Sequence, residues 1–98
     1  LCLTGERVSG ERLHALGLLN RLAEPGGALA AALELAQTLN DRAPNALASI
    51  KELLNDAPHQ ALHHQLAQER DHFVRNLHHA NAGIGIQALL DKQTPRYE

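Results

Sequence analysis

The apolar residues of this chain are almost all leucine and alanine, and that choice restricts what it can fold into. Nineteen of the 98 residues are Leu and sixteen are Ala, against one Phe, one Tyr and no Trp. Ala and Leu are the strongest apolar helix formers, and β-branched residues are few. The expectation is an all-α fold, with one small domain as the ceiling at this length. The same residues make a thin core. Burial stabilises by roughly 25 cal/mol per Å2 of apolar surface, and Ala has little surface to bury. The composition therefore favours a segment that forms an interface over a self-sufficient monomer.

Local signals divide the chain into about five helices. Ser9 precedes Gly10 and Glu11, and its hydroxyl is a good acceptor for an orphan backbone N–H, with Glu11 suited to the positive end of a helix. Leu13 and Leu16 give this first helix its apolar face, and Gly17 stops it as a C′ residue. Leu18, Leu19 and Leu22 are too few for another helix and suit one short extended piece near residues 18–22. Pro25-Gly26-Gly27 is the one good internal break. Beyond it, Leu29, Ala32, Leu33, Ala36 and Leu39 recur at spacings of three and four, predicting a helix from about Ala28 to Arg42. A third helix starts at Pro44, whose missing N–H costs nothing in a first turn, and ends at Asn55-Asp56. A fourth and longest is expected from Pro58, with Leu62, Leu66, Phe73 and Leu77 on one stripe and Asp71 paired with Arg75. Asn81 is the expected cap of a fifth helix over about Ala82 to Lys92, with Gly83 and Gly85 in its early turns, and Thr94-Pro95 ends it.

Residue chemistry excludes more than it assigns. Net charge is −2 with neutral histidines, and neither a basic stripe nor an aromatic platform serves nucleic acid. No apolar run approaches the length of a membrane span. Cys2 is the single cysteine, so an internal disulfide is excluded and a cytoplasmic location is expected. The chain opens on Leu1, as a cut inside a longer polypeptide would, and no secretory signal pattern follows. Seven histidines are present. His59 and His63 share a helix face at a spacing that suits zinc, but a third ligand and a His-Glu-x-x-His motif are missing. Histidines on a solvated surface are the better reading. Ser9 and Ser49 are the only serines, and neither sits in a nucleophile elbow. No catalytic residue, metal ligand or cofactor site is expected from the residues themselves.

Two stretches nevertheless carry a resemblance. Leu3-Thr4-Gly5, then Gly17-Leu18-Leu19-Asn20-Arg21-Leu22, resembles the Leu-Thr-Gly and Gly-Leu-Val-Asn-x-Val pattern of the enoyl-CoA hydratase/isomerase (crotonase) family. Pro44 and Lys51 match its Pro-started, Lys-containing helix, and Glu69, Arg70 and Phe73 match the middle of its long helix. The closing stretch from Asn81 to Tyr97 is similar to Asp-x-x-Glu-Gly-Ile-x-Ala-Phe-Leu-Glu-Lys-Arg-x-Pro-x-Phe. Asn81 stands where Asp is usual, Ile84 where Glu is, Leu89 for Phe and Gln93 for Arg.

The resemblance implies the helical C-terminal region of the crotonase fold. Residues 1–24 would be the tail of the spiral core, and residues 25–98 a helical oligomerisation (trimerisation) region. The family's oxyanion donors and catalytic carboxylates lie upstream of the stretch that matches. This segment alone is therefore expected to be inactive, the parent reaction being hydration or isomerisation of an enoyl-CoA thioester. The implied partners are further copies of the chain, as trimers or multiples of trimers, and an acyl-CoA ligand held together with the upstream core. Lys92 matches a lysine that approaches the CoA phosphates, and Leu89 a phenylalanine near the same ligand. A flexible ammonium suits phosphate as a point charge. The alternative is a non-catalytic helical protein-interaction module.

Overall fold

A computed structural model describes residues 2–98. Its elements are α1 (Gly10–Ala15), α2 (Ala28–Asn40), α3 (Pro44–Asp56), α4 (Leu62–Leu77) and α5 (Ala80–Leu90). No strand occurs among the described residues. Residues 18–22 follow no helix and pair with no ladder, so the short extended piece is irregular chain. Two compact units are present, residues 1–37 and residues 38–98.

The first unit is organised by its turns. Ser9 caps α1, its Oγ accepting from the backbone N–H of Arg12 at 3.2 Å. The helix ends in a Schellman arrangement around Gly17, which takes φ 78°. Leu18 N–H donates to Leu13 O at 3.0 Å and Gly17 N–H to His14 O at 2.9 Å, satisfying carbonyls the helix would leave bare. Glu24 to Gly27 close a β-turn, with Gly27 N–H on Glu24 O at 2.8 Å and Gly26 at φ 82°. Proline second and glycine third are what that turn requires. Leu22 lies beside the start of α1, its Cδ2 at 3.5 Å from where a Gly10 side chain would begin. Arg21 reaches Glu34 of α2 at 3.2 Å.

In the second unit α3 packs on α4, and α4 against α5. Pro44 opens α3 in its first turn, as its sequence predicts. The start of α4 differs from expectation. Ala57–His59 form a separate 3-10 turn, and Gln60 is extended at φ −123°, so the long helix begins at Leu62 rather than Pro58. Pro58 is accommodated in the 3-10 turn, and Gln65 and Gln68 of α4 then tie back to Leu53 O and Asp56 of α3. Helix α2 stops at Asn40, two residues short of the expected Arg42. On α4, Asp71 is paired with its neighbour Arg70 at 3.0 Å rather than with Arg75.

Helix α5 also begins earlier than its sequence indicates. Its N-cap is His79, whose Nδ1 accepts from the backbone N–H of Asn81 at 3.1 Å. Asn81 is inside the first turn, and its side chain is committed elsewhere. The helix closes in a second Schellman arrangement: Gln93 N–H donates to Ala88 O at 2.9 Å and Lys92 N–H to Leu89 O at 3.2 Å. The left-handed C′ position there holds Lys92, at φ 54°.

Burial is inverted relative to an ordinary domain. No apolar residue among those described is buried, and the buried residues are Ser49, His72 and Asn81. Leu62, Leu66, Phe73 and Leu77, the predicted stripe of α4, are all more than half exposed. The apolar faces exist as periodicity requires, but they face outward.

Candidate functional site

The buried residues of the second unit form one connected chain of polar side chains. Asn81 Nδ2 donates to Asn45 Oδ1 at 2.7 Å. Asn45 Nδ2 donates to Asn76 Oδ1 at 2.8 Å. Asn76 Nδ2 donates to Ser49 Oγ at 2.8 Å, and Ser49 Oγ lies 3.0 Å from His72 Nδ1. His72 Nε2 is 3.8 Å from Glu52 Oε2. Every amide donates in the same direction. Ser49 is thus an acceptor toward Asn76, and its hydroxyl can donate to or accept from His72 Nδ1 according to the imidazole tautomer.

A serine, a histidine and a glutamate in contact invite comparison with a nucleophilic triad. The geometry does not match one. Ser49 is only 9% exposed and already receives an amide hydrogen bond, and the carboxylate lies beyond hydrogen-bonding distance of the ring. The chain is a satisfied polar interior that fixes the relative register of α3, α4 and α5. It also corrects the expectation that the histidines are all at the surface. His72 is 5% exposed because Ser49, one helix away, partners its ring.

Above this polar floor is a groove of about 560 Å3 between the start of α3, the end of α4, α5 and the closing segment. Asn45, Asn76 and Asn81 line its floor, while Phe73, Leu77, Ile86, Leu89 and Tyr97 are among its apolar walls. Leu89 and Phe73, both named from sequence, therefore share one groove. Leu89 is 78% exposed. Lys92 is exposed one turn beyond Leu89, next to Gln93 at the groove's edge. Its backbone is the single positive-φ position among the described residues that is not a glycine.

The segment after Lys92 turns back along α5. Tyr97 lies across Gly85, where a methyl group would stand 3.2 Å from the phenolic oxygen. One step further, Glu98 is held at both main-chain groups by Asn81, with Glu98 N–H to Asn81 Oδ1 at 3.0 Å and Asn81 Nδ2 to Glu98 O at 2.9 Å.

Sequence reasoning did not find the polar chain. Its members are 23 to 36 residues apart along the links Ser49–His72, Asn76–Ser49, Asn45–Asn76 and Asn81–Asn45. The available signal was asparagine recurring beside apolar helix faces, which reads equally well as a cap or a solvated position. Among the described residues no group of three or more His, Cys, Asp or Glu could hold a metal ion, and no helix is long and apolar enough to cross a membrane.

Comparison with known proteins covers the whole segment. The family model for enoyl-CoA hydratase/isomerase matches residues 1–98. A putative enoyl-CoA hydratase of Thermus thermophilus is 38% identical over 99 residues, spanning 99% of this chain and 38% of its own length. The 2,3-dehydroadipyl-CoA hydratase of Escherichia coli is 31% identical, spanning 100% of this chain and 38% of its own. The crystal structure of an enoyl-CoA hydratase from Polaromonas superposes with a TM-score of 0.92 at 63% identity, over 96% of this chain and 37% of that one. The chain thus spans less than two fifths of the length of these relatives.

Proposed function

Because this chain belongs to the enoyl-CoA hydratase/isomerase family, we propose that it is the C-terminal helical part of an acyl-CoA hydratase or isomerase, supplying oligomer contacts and part of the CoA pocket. The observation that carries this reading is the inverted burial: no described apolar residue is buried, while leucines such as Leu29, Leu62 and Leu89 are more than 70% exposed. Covering one such side chain contributes about 2 kcal/mol, so these faces favour contact with other protein. Residues 1–24 then belong with the catalytic core, and residues 25–98 with neighbouring copies.

Lys92 and Leu89 are the CoA-contacting residues in this reading, the ammonium toward phosphate and the leucine against the base or the pantetheine arm. The reaction is hydration or isomerisation of an enoyl-CoA thioester through an oxyanion-stabilised enolate. Fixed donors at the developing oxyanion are among the larger catalytic contributions, and the segment offers no such constellation by itself. It acts on CoA only together with the core, requires no resident cofactor, and works in the cytoplasm.

Sedimentation of the protein at its native length tests the association role. Trimers or multiples of trimers are expected. A monodisperse monomer that binds no hydrophobic dye would overturn it. The non-catalytic interaction module is separated by titration with coenzyme A: binding that weakens when Lys92 is changed to Met supports the enzyme reading, and no binding supports the module.

A further inference from the structure

We propose that residues 93–98 form a strap latched by Asn81, and that the latch makes Asn81 a positioning residue for Lys92. This rests on the reading of Lys92 as a CoA contact, and it adds what holds that lysine in place.

The strap is fixed at both ends and in the middle. It starts from the Schellman bonds that cap α5, passes over Gly85 at Tyr97, and ends in the two hydrogen bonds between Asn81 and the backbone of Glu98. Asn81 is 2% exposed and spends its remaining amide proton on Asn45. The latch is therefore continuous with the polar interior that sets α3, α4 and α5 in register.

Lys92 sits at the hinge where helix becomes strap. A non-glycine residue in the left-handed region persists only where its surroundings over-determine it. Here the two Schellman bonds hold Lys92 and Gln93 against the end of α5, and the latch holds the far end of the segment that follows. Freeing Glu98 leaves the Schellman bonds as the sole hold on the turn, so that they open more often and Lys92 relaxes toward an ordinary backbone conformation, moving its ammonium. An aspartate at position 81 could accept from Glu98 N–H but could donate neither to Glu98 O nor to Asn45. The asparagine here, where the family pattern has aspartate, is what completes the latch.

The test uses hydrogen exchange and coenzyme A titration on the protein at its native length. Glu98→Pro removes the latch's main-chain donor and leaves the bond from Asn81 to Asn45 in place. Exchange at the Lys92 and Gln93 amides, the donors of the Schellman bonds at the start of the strap, should rise at least severalfold with helix content unchanged, and Asn81→Asp should do the same. Unchanged exchange in Glu98→Pro overturns the latch, even if Asn81→Asp fails to fold. Glu98→Pro should also weaken coenzyme A several-fold, and this loss should vanish in a Lys92→Met background. A loss that persists without Lys92, or affinity unmoved while exchange rises, overturns the positioning role. If the unaltered protein binds no coenzyme A, the CoA reading and the positioning role fall together, and the exchange result alone decides the latch.

Discussion

Asn81 holds Glu98 as one strand holds another, accepting from its N–H at 3.0 Å and donating to its carbonyl at 2.9 Å. The pair brings residues 17 positions apart into a fixed relation and closes the chain back onto the first turn of α5.

Replacing Asn81 by Asp turns two donated hydrogen bonds into oxygen–oxygen contacts inside a buried site. Leaving such groups unsatisfied costs about 3 kcal/mol in total. Urea unfolding should show a lower midpoint with little change in slope, and an unchanged midpoint would exclude Asn81 as a stabilising residue.

Lys92 occupies a position that glycine fills at lower energy. The left-handed conformation costs an L side chain about 1 kcal/mol or more. Lys92→Gly should therefore stabilise the protein by about 1 kcal/mol while weakening coenzyme A binding, as measured by thermal unfolding alongside ligand titration. A destabilised Lys92→Gly variant would show that the lysine makes contacts that outweigh its backbone strain.

The two glycines of α5 should respond differently to alanine. Nothing stands within 4 Å of a side chain built on Gly83, so Gly83→Ala gains helix propensity, up to about 1 kcal/mol. At Gly85 the same methyl meets Tyr97 Oη at 3.2 Å, and the tyrosine must give way. Gly85→Ala is expected to recover only part of that gain and to loosen residues 94–98, readable by the same thermal comparison and by exchange.

Ser49→Ala removes the shared partner of Asn76 and His72 and is expected to cost about 2 kcal/mol. Because replacing both partners of a buried hydrogen bond is milder than removing one, adding His72→Leu should cost less than the sum of the two single changes. A double-mutant cycle in urea measures this, and strict additivity would show that the contact contributes nothing.

Glu11 is the group whose carboxyl is held below its ordinary value of 4.5, by the backbone N–H of Glu11 and then by the Ser9 hydroxyl. A lowered folded value means the stabilisation is present above the unfolded value and lost as pH falls through the folded one. Helix α1 should thus fray at the acid end, below about pH 4.5. Titration of Glu11 by NMR checks this, and in Ser9→Ala the carboxyl should move back toward its ordinary value.

The helices were legible wherever one residue acts through its own neighbours. Ser9 can cap only the turn that follows it, Gly17 and Gly26 each relieve a left-handed backbone, and Pro44 suits only a first turn. These are short-range steric and hydrogen-bonding rules, and all four positions behave in the structure as their residue types dictate. The apolar periodicity was equally local and located the five helices, though not the starts of α4 at Leu62 and α5 at Ala80, and the family that the residues resemble is the one whose model matches the chain.

What the tertiary structure decided lies in long-range pairings. Asn81 reads as a helix cap in isolation, but its side chain finds Asn45 and Glu98 while the imidazole of His79 takes the capping role. His72 reads as one more surface histidine until packing of α4 on α3 sets it against Ser49. Lys92 reads as a C-terminal cation, and only the path of the strap shows it in a glycine conformation. An amide or imidazole can be satisfied by water, backbone or a distant side chain at similar free energy. Sequence therefore determined where the helices are, and only packing could choose among the partners of their polar groups.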